Sequence, residues 1–398
     1  TKDSTAEEGG TVGALTFTDT AGKARRTSVY TKTGEAGTVA ITTTGTLAQD
    51  GKSLVMKVDG VKYTFALAPA AKADDTLLEL EYTGDTTISK GDVTVKTSGF
   101  LRNLAKGDKV YLLKKTNGKL IATDITDTVN LPTIYGTITG TVAEDDSNNL
   151  VLNVTKEESL TDNLKDKDNP YKYIVIVEDD TKNTGNGVMV GAGENADRSA
   201  IAALAKDETD ATELKDNTLT VQGKVKGRAV GANSVAGNAT ENNVTIGAGA
   251  TVDGFVAGGL TADGTANGNT VTINGGTITG DVYGGYSEKE ANDNIVNLAG
   301  GTIKGTVYGG YVPDASAATC VRSKRSMPRR TLAATTGSTS GNTLNVTKAT
   351  TVGNLAKFDT YNFYLPAGTS NGATMLHLTD NADTDMTNST VNVQASGA

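Results

Sequence analysis

The chain has 398 residues, of which 37% are hydrophobic and 5% aromatic, with no tryptophan, 47 glycines and only 6 prolines. A formal charge of −9 argues against nucleic acid and anionic membranes as partners, and no run of 18 apolar residues exists to form a transmembrane helix. Glycine lacks the third-position period of collagen, and the recurrent short alternating Thr, Asn and Val runs read as an all-β chain of short strands joined by Gly/Asn turns.

From the start of the chain, residues 1–190 read as a strand-rich N-terminal region. Leu54–Val58 and Val61–Leu67 flank Asp59-Gly60, the dipeptide of a tight hairpin. Lys109–Lys115 and Leu120–Ile125 flank Asn117-Gly118 in the same way, and Tyr135–Val142 and Leu150–Val154 flank a polar Asp/Asn loop. Three such signals predict antiparallel hairpins. One likeness points instead to an irregular solenoid: Asn103-Leu104-Ala105-Lys106 follows Val95 as Asn354-Leu355-Ala356-Lys357 follows Val346. Next, residues 191–215 read as a linker. They hold a short predicted helix from Ser199, as N-cap, to about Lys206, with Ile201 and Leu204 on one face.

Residues 216–398 repeat. Segments of the pattern Asn-x-apolar-Thr/Asn-apolar begin at Asn217, Asn242, Asn269, Asn294 and Asn342, in steps of 25, 27, 25 and 48 residues. The last step is near two periods and hides a degenerate unit or an insertion. Gly276–Tyr286 and Gly301–Tyr311 are identical at nine of eleven positions. A unit of about 25 residues cannot bury a core alone, and its four- or five-residue strands of period two, broken by glycine, suit one coil of a parallel β-helix. Equivalent residues then stack about 4.8 Å apart. Asn217, Asn242, Asn269 and Asn294 are expected to form an amide ladder, and Tyr283 with Tyr308 and Tyr286 with Tyr311 an aromatic one.

The paired Tyr-Gly-Gly-Tyr units and Tyr361-Asn362-Phe363-Tyr364-Leu365-Pro366, within residues 241–393, resemble passenger domains of Gram-negative autotransporter adhesins. The resemblance covers somewhat under half the chain. It implies a right-handed parallel β-helix in the C-terminal half, displayed at the cell surface in association with the outer membrane. It also implies a translocator β-barrel outside this sequence and a folding-promoting cap near 359–398. The implied partners are a glycan or matrix protein on a host or neighbouring cell. Thr1 with no leader before it leads us to expect a fragment or a processed product.

Candidate chemistry is sparse, and no catalytic, metal-binding or cofactor-binding residues are expected. The sole histidine, His377, lies in an alternating strand, and the sole cysteine, Cys320, in an irregular insert near 312–340. That insert holds Arg322, Lys324, Arg325, Arg329 and Arg330, a candidate polyanion contact or a solvated loop. Tyr283, Tyr286, Tyr308 and Tyr311 are a candidate glycan-stacking platform or a structural ladder. The run Asp380–Asp385 reads as a polar turn, lacking the glycine and distal Glu of an EF-hand. A surface adhesin or scaffold is the expected function. Its rivals are a polysaccharide-degrading β-helix enzyme, for which Asp253 and Asp281 are the carboxylates at stacked positions, and a structural-layer or fibre subunit.

Overall fold

A computed structural model describes residues 10–12, 16–20, 23–50, 53–81, 83–160, 172–178, 183–205, 209–313 and 337–395. Every element among them is a β-strand. The chain divides into two units, one within Thr1–Ser159 and one within Leu160–Val312 and Thr335–Ala398. Each has its own apolar cluster.

The second unit is the parallel solenoid. One coil runs through Asn243–Ile246, Thr251–Val252 and Val256–Leu260 before a loop returns the chain to the next coil at Thr270–Ile273. The first strands of successive coils form an eight-stranded sheet, parallel at each pairing and in unbroken register. The third strands form a second parallel sheet, from Ile174–Val177 to Thr302–Tyr311. Alternation then sets burial. Val221, Ile246, Ile273, Leu298 and Val346 are each 0% exposed, because each inward methyl group sits between its counterparts in the coils before and after. Val391 and Val393 occupy inward positions of the last described coil, above Tyr361 and Phe363, yet are 51% and 63% exposed with one neighbouring coil only.

Ile295–Leu298 pairs directly with Thr343–Val346. The 48-residue step is therefore one coil carrying an insertion, and residues 314–336 of it, including Cys320 and the five basic residues, lie outside the described residues. The segment from Asp359 onward continues both sheets, through Thr360–Leu365, Leu376–Leu378 and Thr390–Ala395.

Two expectations fail at the start of the solenoid. The predicted helix is the strand Ala200–Ala205, all six residues buried, paired in parallel with Ile174–Val177 and Ala229–Asn233. Sheet on both sides overrides alanine's helical preference here. The coils also begin before residue 216: Gly187–Val190 pairs with Thr218–Val221, and Asn195–Ala196 with Lys224–Val225, so solenoid strands occupy part of the stretch read as linker.

The first unit combines both architectures anticipated for it. Lys23–Gly34, Gly37–Asp50 and Ser53–Leu67 form an antiparallel meander, and Asp127–Thr133, Gly136–Glu144 and Asn149–Ser159 form another. Parallel pairs join strands distant in sequence: Tyr63 with Val93, Leu78 with Leu113 and Thr86 with Leu120. Of the three hairpins, only the last forms as read. Asp59-Gly60 is no turn: Ser53–Leu67 is one strand, and the register against Thr44 and Gly45 shifts there as a bulge, a role glycine in a strand also serves. Asn117-Gly118 does turn, with Gly118 at φ +72°, but its arms enter different sheets. Lys109–Lys115 pairs with Asn149–Ser159 and Thr76–Leu80, whereas Leu120–Thr123 pairs with Thr86–Ser89. The internal likeness also dissolves, since Asn103–Asp108 is loop whereas Asn354–Ala356 ends a strand.

Candidate binding face

Two columns of asparagine run along the solenoid, and their settings differ. The inner column lies just before each strand of the eight-stranded sheet. Asn269 shows its chemistry: its Oδ1 accepts from the backbone N–H of Asn242 at 3.0 Å and from Asn242 Nδ2 at 3.1 Å. Its Nδ2 donates to the Ala239 carbonyl at 2.9 Å and to Asn294 Oδ1 at 3.1 Å. All four hydrogen-bonding positions of the amide are thereby used. Asn217, Asn242, Asn269, Asn294 and Asn342 are 0 % exposed, as a fully satisfied polar ladder permits. The column extends past the predicted four members. Asn186 donates to Asn217 Oδ1 at 2.7 Å, and the Asn342 N–H donates to Asp359 Oδ2 at 3.1 Å, so a carboxylate takes the next amide's place.

This column explains the Tyr-Gly-Gly-Tyr motif. A Cβ on Gly284 would lie 2.8 Å from Asn294 Cβ, and one on Gly285 would lie 2.8 Å from Asn294 Nδ2 and 2.2 Å from the Ala266 carbonyl oxygen. Gly309 and Gly310 stand in the same relation to Asn342. The glycine pair is thus the seat on which each buried amide rests.

The tyrosines form the expected ladder. The Tyr283 and Tyr308 rings stack at 5.1 Å and 7°, and those of Tyr286 and Tyr311 at 5.5 Å and 23°. Tyr286 is 0% exposed, which leaves Tyr283, Tyr308 and Tyr311 as the partly exposed rings of the proposed platform. Tyr283 donates its hydroxyl to Asp281 Oδ2 at 3.0 Å, and Asp281 Oδ1 accepts the Thr306 N–H at 2.8 Å. Burial first, and the Asp281 carboxylate second, raise the pKa of the Tyr283 phenol well above its ordinary value and that of Tyr308 more modestly.

Asp281 and Asp253 are not stacked. Val256 pairs with Val282, so Asp281 aligns with Phe255, and Asp253 lies two residues away beside Lys224, at 3.1 Å. Asp253 precedes Gly254 whereas Asp281 follows Gly280, and these two glycines stack on each other, so the carboxylates fall at different positions of the coil. His377 is exposed and paired with Thr351. In the run Asp380–Asp385, Asp380 and Asp385 accept the N–H groups of Ala382 and Thr387 at 3.1 and 2.9 Å, as carboxylates of polar turns do. Hydrogen bonds from Thr387 lower the Asp385 pKa. Among the described residues no three His, Cys, Asp or Glu side chains stand close enough to share a metal ion, and no helix is long and apolar enough to cross a membrane.

The second asparagine column, which periodicity alone did not single out, lies on the outward face of the eight-stranded sheet. Thr220, Thr245, Thr272, Asn297, Asn345, Asn362 and Asn392 occupy one register position, and none is buried. Asn297 Nδ2 donates to Thr272 Oγ1 at 3.1 Å, Asn345 to Asn297 at 2.8 Å, Asn362 to Asn345 at 2.8 Å and Asn392 to Asn362 at 2.9 Å. Two residues earlier on each strand stand Thr218, Asn243, Thr270, Ile295, Thr343, Thr360 and Thr390, also outward and unburied. Neither column holds a charged residue; the ion pairs Lys224–Asp253 and Lys226–Asp197 lie on and just after the second strands of the coils instead. The result is a broad uncharged face, polar except at Ile295 and at Met189, which heads the first of these columns beside Thr220. No protein-family model, curated protein or solved structure matches this chain.

Proposed function

We propose that this chain is the passenger of a surface-displayed, autotransporter-type protein that acts without catalysis as an adhesin or surface scaffold. One observation carries this reading: the solenoid stacks eight register-locked strands whose outward residues form a continuous solvent-facing array. A repeating face of this kind suits contact with an extended partner on another cell, because weak contacts add along it. Asp281 holds Thr306 and Tyr283, and Asp253 is paired with Lys224. Glycans or matrix proteins are the partners of this reading, and a translocator β-barrel its route to the surface.

The test is binding of the full chain to an array of glycans and matrix proteins. A variant with Arg322, Lys324, Arg325, Arg329 and Arg330 changed to Ser is run beside it. Binding by the folded wild type supports the adhesin. Loss in the variant places the contact in the basic insert, and retention places it on the solenoid. Silence across the array, with self-assembly seen by light scattering, replaces the adhesin with a structural-layer subunit, and release of reducing ends from a glycan replaces both with an enzyme.

A further inference from the structure

The outward face of the eight-stranded sheet carries a regular pattern of unused hydrogen-bonding capacity. Within the ladder, Asn345 gives one N–H to Asn297 and receives one from Asn362, and Asn362 likewise serves Asn345 and Asn392. An amide has two N–H donors and two lone pairs on its oxygen. Asn297, Asn345 and Asn362 therefore each keep one donor and one acceptor outside the ladder. These pairs recur at the strand spacing of about 4.8 Å, and the Thr hydroxyls of the adjoining column stand about 6.8 Å to the side. The face repeats in one direction, and its groups are held in place before any ligand arrives.

Its charge narrows the occupant. The chain carries −9 overall, yet these two columns carry no charge, so sulfate, phosphate and uronate groups find no cation there and basic peptides no carboxylate. What complements adjacent donors and acceptors on a neutral surface is a vicinal diol. We propose that this face binds a neutral, unbranched β-1,4-linked hexose polymer lying along the solenoid axis, one sugar to each coil. In its extended ribbon form such a chain advances by close to one coil spacing per sugar and turns over from each sugar to the next, so the same vicinal diol returns to the face at every second coil. Each contact is weak and exposed, so affinity grows with the number of sugars engaged. This inference rests on the adhesin reading and gives it a ligand class.

The experiment is co-sedimentation of the full chain with microcrystalline cellulose and with chitin, beside heparin–agarose, with cello-oligosaccharides of increasing length as competitors. The wild type is expected to be retained on cellulose and released more effectively by longer competitors; retention on chitin alone, whose C2 acetamido group removes the vicinal diol, overturns the proposal. The triple variant T220K/T245K/T272K places cationic side chains across the outer column, and its retention is expected to fall at least tenfold with an unchanged far-ultraviolet spectrum. If that variant fails to fold, T218V/T270V/T343V removes three hydroxyls at constant shape and is expected to weaken retention severalfold. No retention on either polymer, or retention that folded variants leave unchanged, overturns the proposal. So does self-association of the wild type through this face, seen as light scattering that T220K/T245K/T272K abolishes. Binding to heparin or a matrix protein without binding to the neutral polymers sinks this inference and leaves the adhesin standing.

Discussion

The two units bury comparable apolar side chains by different rules. In the solenoid, a residue's position in the coil decides its surroundings: Leu219, Val244, Val271, Val296 and Leu344 share one column and are all at most 1% exposed. In the first unit, Phe65, Ile138 and Leu152 are also 0% exposed, but in three different settings: Phe65 lies between Val39 and Val95, Ile138 between Leu131 and Glu157, and Leu152 between Val142 and Val110. Parallel pairs there alternate with antiparallel ones, whose own register shifts at Gly45, Gly140 and Val151. Repetition makes a core whose energetics can be read from one coil, whereas the irregular unit has to be read residue by residue.

The comparison is tested most severely at the glycine seats. Gly285→Ala and Gly310→Ala both drive a Cβ into a carbonyl oxygen and a buried amide, at 2.2 and 2.8 Å in the first case and 1.9 and 2.8 Å in the second. Each is expected to cost about 3 kcal/mol or more in urea unfolding, and the two losses should agree. Next, Ile246→Ala and Ile273→Ala should each lose about 2–5 kcal/mol and match each other within about 1 kcal/mol; a wide disagreement would show that coils are not equivalent. Leu152→Ala should lose a similar amount in the first unit, with no sibling position to match it.

Alkaline pH gives a smaller effect of known sign. Burial, with Asp281 second at Tyr283 and Tyr308 and Asp359 second at Tyr361, raises these three phenols above their ordinary pKa. The folded state thus holds protons that the unfolded state releases near pH 10. Their contribution is full below about pH 10 and is lost as pH rises through the folded values. Arg228, lowered to about 9 by burial, works in the opposite direction. The urea midpoint should fall as pH rises above about 10, and less steeply in Y283F/Y308F. The smallest change expected is Tyr361→Phe. The Tyr361 hydroxyl is buried without a hydrogen-bond partner, so its removal should be neutral or stabilise by up to about 1 kcal/mol, and a clear loss would reveal a partner for it.

The stacking order, the inner amide ladder and the tyrosine pairs were legible in the sequence because identical coils repeat identical residues. What the sequence hid lies where the repeat decays. Gly187–Val190 forms a coil strand without the Thr/Asn signature, and Ala200–Ala205 looks helical because a strand buried on both faces shows no alternation. Asp359 completes an asparagine column with a carboxylate. In the first unit, two Asx-Gly dipeptides look alike, yet one is a bulge and one a turn between sheets, a difference fixed by partners far along the chain. The outer asparagine column was written in the same repeat. Its members change from Thr to Asn partway along the solenoid, and only the register shows that they share one line.

The central claim is that column, more than residue type, decides what an asparagine does here. Urea unfolding of Asn294→Ala and Asn345→Ala tests it with one substitution at two sites. Asn294→Ala strands the buried Asn269 N–H and Nδ2 that its oxygen accepts, at about 1–3 kcal/mol for each buried group left unpaired. Asn345→Ala removes ladder bonds to Asn297 and Asn362 that water can replace at this unburied position, and should lose less than about 1 kcal/mol. A loss several times larger at Asn294 is the predicted result. Equal losses would contradict it, showing that the outer column holds the fold together and is not free to serve as a binding face.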